Sequence, residues 1–67
     1  MIDKQVIGEK VRTLRKERGL TQQQLADRAG LMRQSVNNVE KGKHNPEIAT
    51  LTKLASALDV SVAQLLE

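Results

Sequence analysis

Sixty-seven residues are enough for one domain, residues 1–67, and a chain this short buries only ~60% of the surface it exposes when unfolded. With no cysteine and one histidine it holds no disulfide and no metal site. With no Phe, Tyr or Trp its core is aliphatic, and modes that stack bases on aromatic rings are disfavoured. The net charge of +3 is uneven: ten of the eleven Lys and Arg lie in residues 1–45, while residues 46–67 hold Lys53 against Glu47, Asp59 and Glu67. No apolar run approaches the ~18 residues of a membrane span, and the N-terminus lacks an apolar signal core, so a cytoplasmic location is expected.

The spacing predicts a first helix from about Lys4 to Arg18, with Asp3 as N-cap and Ile7, Val11, Leu14 and Val6 as its apolar stripe. Gly19 is placed to stop it. Gly8, inside the helix, costs up to ~1 kcal/mol against Ala and so marks a place where another element comes close.

A second helix begins at the run Gln22-Gln23-Gln24. Thr21 and Gln24 have the spacing of a capping box, and Leu20 and Leu25 that of a hydrophobic staple. Leu25, Ala26 and Ala29 form the inner face, and Gly30 ends the helix. Gln24 therefore has a local structural task, and Gln23 is expected to face water.

The third helix is expected from about Arg33 to Lys41, ending at Gly42, with Val36 and Val39 inward and Leu31 paired with Val36 as a staple. Met32 occupies its N-cap position and cannot cap, which costs ~1 kcal/mol. Asn45 and Pro46 read as N-cap and first residue of a fourth helix, with the stripe Ile48, Leu51, Leu54, Ala55 and Leu58. Asp59 stands where Gly would end that helix more easily. Ser61 and Gln64 form a second capping box, with Val60 and Leu65 as its staple, and open a short fifth helix. The reading is all-α, with no strand.

With Val36 and Val39 inward, the third helix turns Gln34, Asn38 and Lys41 outward, flanked by Asn37 and Arg33. Arg matches the O6 and N7 edge of guanine, and Gln or Asn the N6 and N7 edge of adenine. Two adjacent asparagines in mid-helix carry a propensity cost that a merely solvated face would not need. The short turn around Gly30 and Leu31 gives the second and third helices the form of a helix-turn-helix unit.

The stretch LRKERGLTQQQLADRAGLMRQSVNNVEKGKHNPEIATLTKLASALDVSVAQLL resembles the phage repressor and Cro type of helix-turn-helix domain, the XRE-like family. The likeness covers Ile7 to Leu66. It is carried by R-x-x-R-G-L-T-Q-x-x-L-A (Arg15 to Ala26), the A-G turn (Ala29, Gly30) and V-E-x-G-K (Val39 to Lys43). N-P (Asn45, Pro46) and L-x-x-L-A-x-A-L-x-V-S (Leu51 to Ser61) complete it.

The resemblance implies a compact five-helix, lambda-repressor-like domain that binds double-stranded B-DNA as a two-fold homodimer, with the third helix in the major groove. It places base contacts on Met32, Arg33, Gln34 and Asn38, with Asn37 nearby. Met32 departs from the Ser or Thr common there; it either meets a thymine methyl or packs on the turn, and packing is preferred. Phosphate contacts are expected from Thr21, Gln22, Ser35, Lys41 and Lys43, although Ser35 equally suits a bond to its own backbone. Arg15 and Glu40 correspond to a pair that bridges the first helix to the end of the third. Val62 and Leu66 are candidates for a dimer contact or for the core.

The expected function is a sequence-specific regulator of transcription, a repressor, acting on a palindromic operator. The alternative is an antitoxin-like subunit whose main partner is a toxin, with DNA binding secondary. No nucleophile or carboxylate pair supports an enzyme, and no cofactor is expected.

Overall fold

The computed structural model describes residues 3–67, which form five helices and no strand. In chain order these are α1 (Lys4–Glu17), α2 (Gln22–Ala29), α3 (Arg33–Glu40), α4 (Ile48–Leu58) and α5 (Val62–Leu66). α3 packs on α1 and α2, α2 packs on α4, and α5 packs on α1 and α4.

Local chemistry sets most helix ends. The Asp3 carboxylate accepts from the Gln5 N–H at 2.8 Å and caps α1. Thr21 Oγ1 accepts from the Gln24 N–H at 3.0 Å, and Gln24 Oε1 accepts from the Thr21 N–H at 2.9 Å, so the capping box of α2 is complete. Ser61 and Gln64 repeat it at α5. Met32 caps α3 with no side-chain hydrogen bond.

α2 ends by the closure that a left-handed residue permits: Leu31 N–H donates to Ala26 O at 2.9 Å and Gly30 N–H to Asp27 O at 3.4 Å, with Gly30 at φ +68. α4 ends the same way at Asp59, φ +59, which carries a side chain into a region where glycine is unstrained.

The core is aliphatic. Ile7 and Val11 of α1 meet Leu25 of α2, Val36 and Val39 of α3, Leu51, Leu54 and Leu58 of α4, and Leu65 of α5. Each fully buried Leu or Val contributes roughly 1.5–3 kcal/mol of transfer free energy. Leu20 is also buried, while Leu31 and Val60 are half-buried against the cluster, so all three staple positions are filled.

Three expectations fail in instructive ways. Val6 is 44% exposed, because the buried stripe of α1 is set by Ile7 and Val11 and Val6 is turned about 100° from Ile7. Asn45 and Pro46 do not open α4: Glu47 is its N-cap, without a side-chain cap, and Ile48 its first residue. Pro46 instead lines the depression between the incoming loop and α3, with Ser35, Asn38 and Val39. Ile48 is therefore in the first turn of α4, beyond the edge of the core, and is 71% exposed.

The expected close approach at Gly8 is present. A Cβ there would fall against Val39 O and 2.8 Å from Glu40 O, both backbone atoms of α3. Only a glycine lets the middle of α1 lie against the end of α3, and that contact brings Arg15 and Glu40 within reach of each other.

Candidate nucleic-acid interface

α3 stands as a ridge with a depression on each flank. Burial of Val36 and Val39 leaves Arg33 and Gln34 exposed and Asn37 and Asn38 half-exposed along its crest. On one flank, Gln22, Arg33, Gln34 and Asn37 line a shallow depression. It continues toward α1, where Arg12, Arg15, Glu40 and Lys41 join Gln22 and Asn37. On the other flank, Ser35 and Asn38 face His44, Asn45, Glu47 and Thr50.

The ridge is held from below by a charged clamp. Arg15 Nε donates to Glu40 Oε2 at 2.7 Å and Arg15 Nη2 to Glu40 Oε1 at 3.0 Å, a bidentate pair with both side chains buried. Arg15 Nη1 also donates to Leu20 O at 2.8 Å, which ties the α1–α2 loop to the same guanidinium. The hydrogen bonds that Arg15 donates to Glu40 raise the Arg15 pKa above its ordinary value, burial works against this, and the Glu40 charge adds to the rise. Arg15 neutralises Glu40, the one acid of α3, and the cations around the ridge are left uncompensated by it.

The amides of the site are bonded to one another. Gln22 Nε2 donates to Asn37 Oδ1 at 3.3 Å and to Glu40 Oε1 at 3.2 Å. Gln34 Nε2 donates to Asn38 Oδ1 at 2.9 Å, one turn apart on the crest. Gln23 is exposed, as expected, but its amide also donates to Asp27 Oδ1 at 2.9 Å.

The remaining candidates fall as follows. Met32 is 75% exposed, so the preferred packing role fails: its extended backbone at the N-cap carries the side chain outward, and Leu31 takes the place against the core. Thr21 is exposed at the start of α2, beside Gln22. Ser35 is half-buried on the second flank, while Lys41 and Lys43 are exposed beyond the end of α3. Lys4 Nζ reaches Lys43 O at 3.5 Å across the α1 N-terminus. Val62 and Leu66 are half-buried against the core, so each keeps part of its surface on the outside of α5.

The phosphate expected at Gln22 has less to bind than sequence reasoning supposed, because both amide N–H groups point to internal acceptors. Arg12 lies outside the candidates that the sequence singles out. It is exposed and shares the depression of Gln22 and Lys41. The available signal was its position one turn before Arg15, on the face of α1 that meets α3. Among the described residues, no three His, Cys, Asp or Glu come together as a metal site, and no helix is long and apolar enough to cross a membrane.

Residues 11–65 match the HTH_3 helix-turn-helix family, and the chain belongs to it. An immunity repressor protein of Bacillus phage phi105 is 40% identical over 57 residues; the match takes in 85% of this chain and 40% of the repressor, so the chain spans well under half of that relative. The restriction-modification controller protein C.AhdI from Aeromonas hydrophila superposes with a TM-score of 0.90 at 40% identity, covering 94% of this chain and 96% of the controller. SinR, a master regulator for biofilm formation solved in complex with DNA, superposes with a TM-score of 0.86 at 37% identity, covering 91% and 98% of the two chains.

Proposed function

We propose that this chain is a sequence-specific DNA-binding regulator of transcription, a repressor, that lays α3 in the major groove as a homodimer in the cytoplasm. The observation that carries the reading is the α3 ridge itself: Arg33, Gln34, Asn37 and Asn38 on a crest whose one acid is already neutralised by Arg15. Solved DNA-bound SinR and the named phage repressor support it.

In this reading Arg33, Gln34, Asn37, Asn38 and the exposed Met32 face base edges. Gln34 is poised for adenine: one N–H is held by Asn38, leaving the other N–H for N7 and the carbonyl for N6. Lys41 and Lys43, with Arg12 across the depression, take phosphates and release counterions, and Thr21 and Ser35 add neutral donors on the two flanks. Gln22 meets a phosphate through its backbone N–H at the start of α2 rather than through its amide. Two copies, joined through the outer faces of Val62 and Leu66, would read half-sites ~34 Å apart.

Selection of bound sequences from random duplexes, with the salt dependence of the best sequence, tests this. A palindromic consensus and an affinity that falls steeply with salt are expected. Equal binding to all sequences, or none at ~50 mM salt, contradicts it.

A further inference from the structure

We infer that Glu40, acting through Gln22, fixes which way round the Asn37 amide faces the groove, and so makes Asn37 a hydrogen-bond donor to its base. The inference rests on the proposed reading of α3 as the groove-facing helix.

The logic is one of donors and acceptors. Glu40, ionised and clamped by Arg15, can only accept. Its Oε1 takes a hydrogen bond from Gln22 Nε2 at 3.2 Å, so Gln22 must turn its NH2 group, not its carbonyl, toward Glu40. The same nitrogen then presents its second N–H to Asn37 at 3.3 Å. Asn37 must answer with Oδ1, because the opposite orientation would set one NH2 group against another. One of the two lone pairs of its acceptor is thereby engaged inside the protein. The Nδ2 donors remain, on a side chain that lines the depression with Arg33 and Gln34.

A free asparagine can bind adenine with both ends, accepting from N6 and donating to N7. In Asn37 one of the two lone pairs of the accepting end is already taken by Gln22, and that bond fixes which way the amide faces. The Nδ2 donors are the end presented to the base, which favours O6 or N7 of guanine or O4 of thymine over the two-ended pairing with adenine. Gln34 has the opposite constraint. Its partner Asn38 uses one N–H and leaves the carbonyl open, so adenine suits Gln34 better than Asn37. Two neighbouring amides of similar chemistry are thus given different base preferences by the groups behind them. Gln22 and Glu40 are positioning residues in this scheme and touch no base.

Bound-sequence selection with the whole chain and two variants tests the inference. Asn37→Ala identifies the base pair that Asn37 reads, as the one position whose preference it flattens. At that position the wild-type chain should disfavour adenine by about tenfold or more against guanine or thymine. Gln22→Met keeps the length of the side chain and leaves the Arg15–Glu40 pair in place. It should admit adenine at the same position and leave the other positions unchanged. A lost phosphate contact would instead lower affinity for all sequences alike. Should Gln22→Met fail to fold, as judged by its helical signal, Gln22→Ala makes the same comparison. If Gln22→Met keeps the wild-type preference at the Asn37-dependent position, or if the wild-type chain prefers adenine there, the relay is wrong. If Asn37→Ala flattens nothing, the base contact of Asn37 is wrong and the relay falls with it. If the wild-type chain selects no sequence at all, the proposed function itself is wrong.

Discussion

Gly8 shows how one missing side chain decides a geometry. Alanine would favour α1 as a helix by ~1 kcal/mol. Its Cβ, however, would press on the carbonyl oxygens of Val39 and Glu40, which belong to a helix end and cannot swing aside. Overpacking of this kind costs typically ~1–3 kcal/mol. The net of the two is that Gly8→Ala should lower the free energy of unfolding by about 1 kcal/mol in a urea titration, and a gain in stability would contradict the close approach. Gln24 is the converse, a side chain with a purely local duty. Gln24→Ala removes half of the α2 capping box and should cost ~1 kcal/mol of stability while leaving DNA affinity within about twofold of wild type. A binding isotherm and a melting curve on the same sample separate the two effects.

At the scale of the element, the helices are unequal. α2 and α5 carry full capping boxes, α1 has an Asp cap, and α3 and α4 begin without any side-chain cap. α3, which carries the candidate base contacts, is thus locally the weaker member of the helix-turn-helix pair and depends on Val36, Val39 and the Arg15–Glu40 clamp for its position. Met32→Thr supplies the absent oxygen at an exposed site with extended backbone. It should raise the midpoint of chemical unfolding by an amount worth ~1 kcal/mol. An unchanged midpoint would mean that the first turn of α3 is satisfied by other means. The uncapped start of α4 has a tertiary origin. Asn45 and Pro46 have the local chemistry to begin a helix, but the loop must first cross to α4, and Pro46 is used against α3 on the way.

For the molecule as a whole, the hydrogen bonds that matter most join residues far apart in sequence. Arg15 of α1, Gln22 of α2 and Glu40 of α3 meet at one carboxylate, with separations of 25 and 18 residues. Removing either charge leaves the other buried and uncompensated, at a cost of about 3 kcal/mol or more. Arg15→Ala and Glu40→Ala should therefore each destabilise strongly. The double variant should lose much less than the total of the two, with a coupling of at least ~1 kcal/mol in a double-mutant cycle. Strictly additive losses would show that the pair is incidental. The net worth of the clamp against an apolar substitute can still be small, so its value lies in holding α1, the α1–α2 loop and α3 in one arrangement.

What the chain settles alone is whatever depends on neighbours within a turn or two. The capping boxes, the left-handed stops and the aliphatic stripes are short-range patterns, so the five helices, most of the core and the polar crest of α3 are legible from residue spacing. Whatever depends on how helices are stacked is not. Periodicity ranks Ile48 and Val6 with the buried stripes, but the core ends before it reaches them. It leaves Arg12 as one more surface cation, because only the packing of α1 on α3 brings it to Gln22 and Lys41. The run Gln22-Gln23-Gln24 draws the line within three residues. The Gln24 partner is three positions away and that of Gln23 four, while those of Gln22 are fifteen and eighteen away and exist only once three helices have closed on a shared carboxylate.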